Sequence, residues 1–391
     1  MEANDITRRA YELIQLASDS RASDLHLEAA EDGVQIRLRI DGVLQRQPTI
    51  PPGEGAELIR HFKQMAALNT DCCDRPQDGR VVLDAKGKRL DLRVSSLPTF
   101  RGERLVARLL DRSADLPLLA DLGLHKDTLA TIRKLCSLPS GVVLSTGPTG
   151  SGKTTLMYAM LMDLDREHCA VFSIEDPVEY ELPGVSQTAV RPAAGVTFSR
   201  AARAIMRQDP DVIMVGEIRD LETAEISVQM ALTGHLVFTQ LHAATAPGAL
   251  KRLLDMGIEP FLVNQSVRGV ISQRLVRRLC PACKRPAKTN GCLLPDGVLE
   301  RLNLDHADFA EPVGCDACRG TGYRGRRAIH EIILPDEKVQ QAVMGGNLEA
   351  IRQAARENGM ATLFEDGLRY AAAGITSLAE VARAAATCDW D

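Results

Sequence analysis

The chain reads as an α/β protein in which an N-terminal α+β domain precedes a mostly parallel, helix-covered sheet that carries a glycine-rich turn. Three observations lead there. Apolar and polar residues alternate with period two around the turns Asp32-Gly33 and Asp41-Gly42. Further on, short aliphatic runs alternate with segments of helical spacing. Between one such run and one such segment stands Gly147-Pro148-Thr149-Gly150-Ser151-Gly152-Lys153-Thr154-Thr155.

In chain order, residues 5–18 place Ile6, Ala10, Tyr11, Ile14 and Ala17 at loose helical spacing. Residues 23–28 and 34–40 alternate as half-buried strands, and the Asp-Gly pairs beside them are hairpin signals. A second helix is predicted over about 54–68 (Leu58, Phe62, Met65). More strands follow at 80–84, 88–95 and 103–110, which completes an antiparallel α+β domain over 1–112. Residues 113–127, with Pro117, read as a linker. Over 128–274 the strand candidates 141–146, 170–174, 212–216 and 236–241 are near-continuously apolar. Helices at 153–167, 199–207 and 221–233 separate them, as in a parallel sheet covered on both faces. From 275 to 330 the texture turns to Arg, Pro, Lys, Gly and paired Cys. Helical spacing returns over 331–391, with Gly359 and Gly374 where helices would stop.

Hydrophobic content of 45% with only 4% aromatic residues suits an α/β chain with aliphatic cores. A net charge of −5, from 47 basic and 52 acidic residues, argues against a life on nucleic acid. No apolar run approaches the ~20 residues of a membrane span. The start Met1-Glu2-Ala3-Asn4-Asp5 lacks the basic stretch of a signal peptide, so a cytoplasmic chain is expected.

The 147–155 stretch matches G-x-x-x-x-G-K-[ST], whose backbone N–H groups wrap nucleotide phosphates at a helix N-terminus. Lys153 would reach the β- and γ-phosphates, and the Thr154 hydroxyl would ligate Mg²⁺. Acids are then needed at strand ends beside the loop. Asp211-Val212-Ile213-Met214-Val215-Gly216-Glu217 and Ile174-Glu175-Asp176-Pro177-Val178-Glu179 both supply them. His235 and His242 flank the run 236–241, where an imidazole could reach a γ-phosphate.

Cys280-Pro281-Ala282-Cys283 and Cys315-Asp316-Ala317-Cys318 are two C-x-x-C pairs. Each can grip one side of a tetrahedral Zn²⁺, and four thiolates leave no open position for catalysis. A redox motif would need one such pair near a βαβ unit rather than two in a Gly/Pro-rich segment. Cys72, Cys73, Cys136, Cys169, Cys292 and Cys388 show no such pattern and read as ordinary thiols.

Taken in order, four stretches resemble the Walker A, Asp box, Walker B and His box of the type II secretion / type IV pilus assembly ATPases. They are 147–155, 174–180, 207–220 and 233–242. Ser23-Asp24-Leu25-His26, Arg75-Pro76-Gln77-Asp78-Gly79-Arg80 and Leu92-Arg93-Val94-Ser95 are similar to the family's second N-terminal domain. The resemblance implies a RecA-like ATPase core with a zinc-binding insert and C-terminal helices. It implies a homo-hexamer that hydrolyses ATP with Mg²⁺ on the cytoplasmic face of the inner membrane. There it would act on a platform protein to assemble a pilus or pseudopilus. By motif position Glu217 is the Walker B acid and Glu175 and Glu179 are Asp-box acids, with Glu175 expected to activate water. His235 and His242 are the His-box residues. Arg93, Arg104 and Arg108 fall where members supply arginines to a nucleotide on ring closure. The tetracysteine insert favours assembly over retraction.

Two departures stand out. The meander begins within the first 25 residues, so the family's first N-terminal domain, which docks a membrane-recruiting protein, is not matched. Ala243-Ala244 follow His242 where members usually carry Thr-Asn. A P-loop nucleic-acid translocase and a retraction ATPase are the alternatives, and the acidic balance does not favour the first. No nucleic-acid partner is expected.

Overall fold

A computed structural model describes residues 3–113, 116–287, 297–302, 304 and 307–385. It divides into two compact units, Met1–Asp115 and Leu116–Asp391.

The first unit runs α1 (Ala3–Asp19), β1 (Ala22–Ala30), β2 (Gly33–Ile40), β3 (Val43–Arg46), α2 (Pro52–Met65), β4 (Gln77–Ala85), β5 (Lys88–Thr99) and β6 (Gly102–Asp111). The six strands form one sheet in the order β3-β2-β1-β6-β5-β4, antiparallel throughout. Asp41 and Gly42 both take positive φ, 48° and 86°, the signature of the tight turn that joins β2 to β3. Alternation does the rest. Leu25, Leu27, Leu92, Val94, Leu105 and Ala107 face one way, where Ile14, Leu58 and Phe62 of the two helices bury them. Asp24, Glu28, Arg93, Arg104 and Arg108 alternate with them and take the other face.

The second unit begins earlier than the expected linker allows. Leu119, inside the 113–127 stretch, is fully buried in a short 3₁₀ turn (Leu119–Leu122) that packs on the phosphate-loop helix. There follow α3 (Lys126–Cys136), β7 (Gly141–Thr146), α4 (Lys153–Met162), β8 (Val171–Glu175), β9 (Val185–Ala189), α5 (Phe198–Ile205), β10 (Val212–Val215), α6 (Leu221–Leu232) and β11 (Leu236–Leu241). Then come α7 (Ala246–Asp255), α8 (Pro260–Ser266), β12 (Val267–Leu279), β13 (Arg285–Pro286), α9 (Val298–Arg301), β14 (Ala310–Glu311) and β15 (Tyr323–Ile333). Four helices complete the described residues: α10 (Glu337–Gly345), α11 (Leu348–Glu357), α12 (Leu363–Ala372) and α13 (Leu378–Ala385).

The main sheet has seven strands in the order β15-β12-β7-β11-β10-β8-β9. All pairings are parallel except β12 with β15. Successive residues of β7 show that both faces are covered. Val142 and Leu144 join the core that includes α5–α8, while Val143 joins the one that includes α3 and α4. The expected segment 275–330 is therefore cut differently by the structure. Strand β12 runs through 274/275 and β15 through 330/331, so the cysteine-bearing excursion lies between Leu279 and Tyr323. A smaller cluster of Val276, Ile329, Leu363, Tyr370 and Ala385 fastens the C-terminal helices to these two strands.

Candidate active site and metal centre

The phosphate loop is set by its two flanks. Every residue of β7 is buried, and at its end the Thr146 hydroxyl donates to the Leu241 carbonyl (2.8 Å) and accepts from the Ala243 N–H (3.0 Å). The turn then passes Gly147, Gly150 and Gly152 at φ of 145°, 78° and 89°, values that a side chain rarely tolerates. Gly152 caps α4 in the left-handed region, and Lys153 is the first residue of the helix. The Lys153 ammonium is tucked against its own loop, 2.8 Å from the Gly147 carbonyl and 3.0 Å from that of Pro148. Burial holds its pKa below the usual lysine value, against the pull of Glu217. Pro148, Thr149 and Gly150 lie on the exposed crest of the turn, while Ser151 is buried and its hydroxyl has no partner among the described residues. Thr154 and Thr155 follow on α4, and the Gln240 amide donates to Thr154 Oγ1 at 3.4 Å.

Parallel strands deliver the acids to the same end of the sheet. Glu217 follows β10, and its carboxylate meets His242 Nε2 at 3.2 Å and Arg219 Nε at 2.6 Å. Arg219 also donates to Asp176 Oδ2 at 3.2 Å, so one guanidinium ties Glu217 to the segment that follows β8. These donors and acids fit a magnesium nucleotide: a cation and free loop N–H groups for phosphate, a hydroxyl and carboxylates for the metal.

The two glutamates of the Asp box differ sharply. Glu175, at 3% exposure, is buried, and its carboxylate accepts from Ser173 Oγ (2.5 Å), Gln187 Nε2 (3.0 Å) and the Tyr158 hydroxyl. Burial and the Glu175 charge push the Tyr158 phenol upward, so it stays a donor. Glu179 is half-buried, and among the described residues its carboxylate makes no hydrogen bond or ion pair.

The two histidines also part company. His242 follows β11 on the phosphate-loop side. His235 precedes the same strand, where its carbonyl accepts from Gly141 N–H at the start of β7 and its Nδ1 lies 2.9 Å from the Met230 carbonyl. Six residues of strand separate them, about 20 Å at the usual rise. The structure thus brings His242 to the phosphate loop and leaves His235 at the other end of the same central strand.

The three arginines lie on the open face of the first unit's sheet. Arg108 pairs with Asp24 (3.0 Å) and Arg104 with Glu28 (3.0 Å). Arg93 stands between Arg80 and Arg108 in register, and no acid pairs with it among the described residues. Asp91 on the same strand is held by Arg80 (2.6 Å) and Arg112 (2.8 Å).

The four cysteines converge, their Sγ atoms all within 4.8 Å of one another. Cys280–Cys315, Cys283–Cys318 and Cys315–Cys318 stand 3.9, 3.8 and 3.8 Å apart. A tetrahedral Zn²⁺ with bonds of about 2.3 Å sets its sulfurs about 3.8 Å apart. Backbone N–H groups of Cys315 (3.2 Å) and Gly322 (3.1 Å) point at Cys318 Sγ, and that of Gly314 points at Cys283 Sγ (3.4 Å). Burial alone would push the Cys318 thiol up, but the Cys315 and Gly322 N–H groups and the neighbouring Cys315 and Cys283 thiols outweigh it and bring the group down, while Cys283 is pushed up despite the Gly314 N–H, as expected of thiols sharing protons in one cluster. The residues fit zinc. Cys292 and Cys388 lie outside the described residues.

Arg219 and Gln240 were not singled out as site residues from the sequence. The signal for Gln240 is a long polar side chain near the end of a wholly buried, mostly apolar strand. Arg219 offers none beyond its place two residues after Glu217.

A family profile described as "Type II/IV secretion system protein" matches residues 2–383. The chain is 44% identical over 379 residues to the "Type II secretion system protein HxcR" of Pseudomonas aeruginosa, covering 97% of this chain and 77% of that protein. With the "Type II secretion system ATPase E" of Vibrio cholerae it shares 45% over 371 residues, 93% of this chain and 72% of the relative. Identity to the "Type IV pilus assembly ATPase PilB" of Thermus thermophilus is 46% over 361 residues, 92% of this chain but only 41% of that longer protein. Among solved structures, the Legionella pneumophila ATPase DotB superposes with a TM-score of 0.67 at 21% identity, covering 94% of this chain and 93% of DotB. The pilus retraction motor PilT with bound ADP gives 0.61 at 24%, over 95% and 96%. At those identities the two structures attest the fold alone. Sequence and fold agree that this chain belongs to the Type II/IV secretion system protein family.

Proposed function

We propose that the chain is an ATP-hydrolysing motor of a type II secretion or type IV pilus assembly machine. One observation carries the reading: Lys153, Thr154, Glu217, His242 and Asp176 gather around one glycine turn at the carboxyl ends of parallel strands. The chemistry is attack of water on the γ-phosphorus, with ADP leaving. Lys153 and the loop N–H groups bind the β- and γ-phosphates and take up charge that builds there. Thr154 and Glu217 would hold Mg²⁺, which would supply positive charge against the phosphates. His242 and Arg219 fix the Glu217 carboxylate from two sides.

A base for water needs an unclaimed oxygen lone pair. Glu175, expected for this role from its motif position, spends its carboxylate on three donors and serves to anchor the Asp box. Glu179, with its carboxylate unclaimed, takes the proton. His235, away from its own chain's loop, has no role in that site.

The site is completed by a neighbouring copy in a homo-hexamer, whose arginines neutralise the γ-phosphate. Arg93 is the one best placed among the three, because Arg104 and Arg108 must first give up Glu28 and Asp24. The four cysteines would hold a structural Zn²⁺, which would supply folding free energy rather than catalysis. Among the described residues no helix is long and apolar enough to cross a membrane. The motor then works from the cytoplasmic face of the inner membrane, against a platform protein, through an attachment that includes a membrane-recruiting protein.

Phosphate release from MgATP, measured with and without single-stranded DNA, tests the reading. Hydrolysis that DNA leaves unchanged is expected. Strong stimulation by DNA would favour a nucleic-acid translocase.

A further inference from the structure

A chain of three hydrogen bonds leaves the phosphate loop on the side away from the acids. Gln273 lies in β12 at 3% exposure, and its Nε2 donates to the Ser151 carbonyl at 2.6 Å. Its Oε1 lies 3.2 Å from His330 Nε2 on the neighbouring strand β15. The backbone N–H of His330 donates in turn to Asp366 Oδ2 of α12 at 2.8 Å.

The chemistry of these groups fixes the direction of each bond. A carbonyl can only accept, so the Gln273 amide nitrogen must face Ser151 and its oxygen must face His330. The imidazole therefore carries its proton on Nε2. Burial pushes His330 down to about 3, so the ring is neutral and keeps that tautomer. The loop is shaped around the same residue. A Cβ on Gly152 would stand 2.6 Å from Gln273 Nε2, and one on Gly147 would stand 2.5 Å from the Gln273 carbonyl oxygen. Two of the loop's three left-handed glycines are thus also the points at which β12 approaches it.

The Ser151 carbonyl belongs to the same planar unit as the Gly152 N–H. In a trans peptide the two point in opposite directions. Holding the carbonyl against β12 sends the N–H away from it, and that N–H has no partner among the described residues. We propose that Gln273 is a positioning residue. It fixes the Ser151–Gly152 peptide so that the Gly152 N–H is presented to phosphate, and through His330 it ties that peptide to helix α12. This rests on the reading of 147–155 as a nucleotide loop. It adds that the loop's shape is held by a brace from the strand that leads into the cysteine excursion. It adds also that nucleotide at the loop is felt at α12.

Three variants in the full chain separate the brace from simple packing. Gln273→Glu keeps the shape and can still accept from His330, but it presents an oxygen to the Ser151 carbonyl. Gln273→Ala removes both bonds, and His330→Gln restores a donor toward Gln273. The two Gln273 variants should raise the KM for MgATP about tenfold, the size of one lost buried hydrogen bond, with kcat changed much less. His330→Gln should stay within about threefold of the parent. In hydrogen exchange, a non-hydrolysable ATP analogue should protect residues 363–372 as well as 147–155 in the parent, and only 147–155 in Gln273→Glu. A Gln273→Glu protein with parental KM and parental protection of 363–372 would overturn the inference while leaving the nucleotide reading intact. A parent that binds no adenosine nucleotide would overturn both.

Discussion

His242 Nε2 lies 3.2 Å from Glu217 Oε2, so the end of strand β11 reaches across to the acid that follows β10. Arg219 holds the other carboxylate oxygen and reaches on to Asp176. The Glu217 carboxylate, proposed above to hold Mg²⁺, is oriented by an imidazole and a guanidinium from separate segments. His242→Ala should lower kcat at least tenfold, in the range seen when the outer partner of a metal-binding group is lost. Nucleotide affinity should change much less. His235→Ala should leave both near parental values. Steady-state kinetics on the pair of variants is the check, and equal effects of the two would contradict the geometry.

Glu175 and Glu179 should fail in different ways. Glu179→Gln should reduce kcat by about 10²-fold or more, as loss of a general base does, with no loss of folding stability. Glu175→Gln should also slow hydrolysis, but it should lower the melting temperature, because a buried network of Tyr158, Ser173 and Gln187 loses its charge. Melting curves recorded beside the kinetics distinguish the two.

The cysteine site should behave as a structural one. Protein purified without chelator should contain one zinc per chain by elemental analysis, and Cys280→Ser should remove it. The melting transition should fall and the 280–322 segment should lose exchange protection, because binding a structural zinc supplies local folding free energy. Absence of zinc from such a preparation would contradict the assignment.

Glu380 supplies a pH dependence. Its buried carboxylate accepts from Arg277 of β12 (2.7 Å) and Arg383 of α13 (2.8 Å). Burial opposes ionisation there, but the arginines outweigh it and bring the group from 4.5 to about 2. A carboxylate depressed in the folded state stabilises above its unfolded pKa and loses that contribution as the pH falls. Stability should decline as the pH drops from about 4.5 toward 2. Glu380→Gln should flatten this part of the profile, and Glu380→Ala should cost about 3 kcal/mol at neutral pH by leaving Arg277 unpaired. Urea melts at several pH values measure both.

The arginines of the first unit should act between copies. Arg93→Ala should lower turnover about 10³-fold, the scale of an arginine supplied to a γ-phosphate, with nucleotide affinity little changed. Arg104→Ala and Arg108→Ala should have smaller effects. Specific activity should rise with protein concentration, and a dilute monomer hydrolysing at full rate would defeat this part of the proposal.

Much of this was legible because the chemistry leaves few choices. A phosphate loop needs glycines, lysine and hydroxyl at fixed spacing between a strand and a helix, and 147–155 shows them. The Asp-Gly turns set the first hairpins, and the two C-x-x-C pairs are the cysteines that converge in the fold. Strand β12 was hidden because arginines at 274, 277 and 278 mask its apolar residues, and its partner β15 lies on the far side of the cysteine excursion. His235 and His242 look equivalent in sequence, since both flank one strand; only the direction of a parallel strand assigns them to opposite ends. Glu175 and Glu179 likewise share one motif, and burial by Tyr158 and Gln187, contributed by other segments, tells them apart. Gln273 depends on a contact with Ser151 across more than a hundred positions, which no local pattern carries.

The most direct test of a nucleotide motor is phosphate release by the purified chain in MgATP, measured beside Lys153→Ala at matched concentration. The parent should turn over steadily and lose activity on magnesium removal, while Lys153→Ala should fall by at least 10²-fold. A Lys153→Ala protein that hydrolyses ATP at the parental rate would contradict the assignment of this loop as the catalytic site.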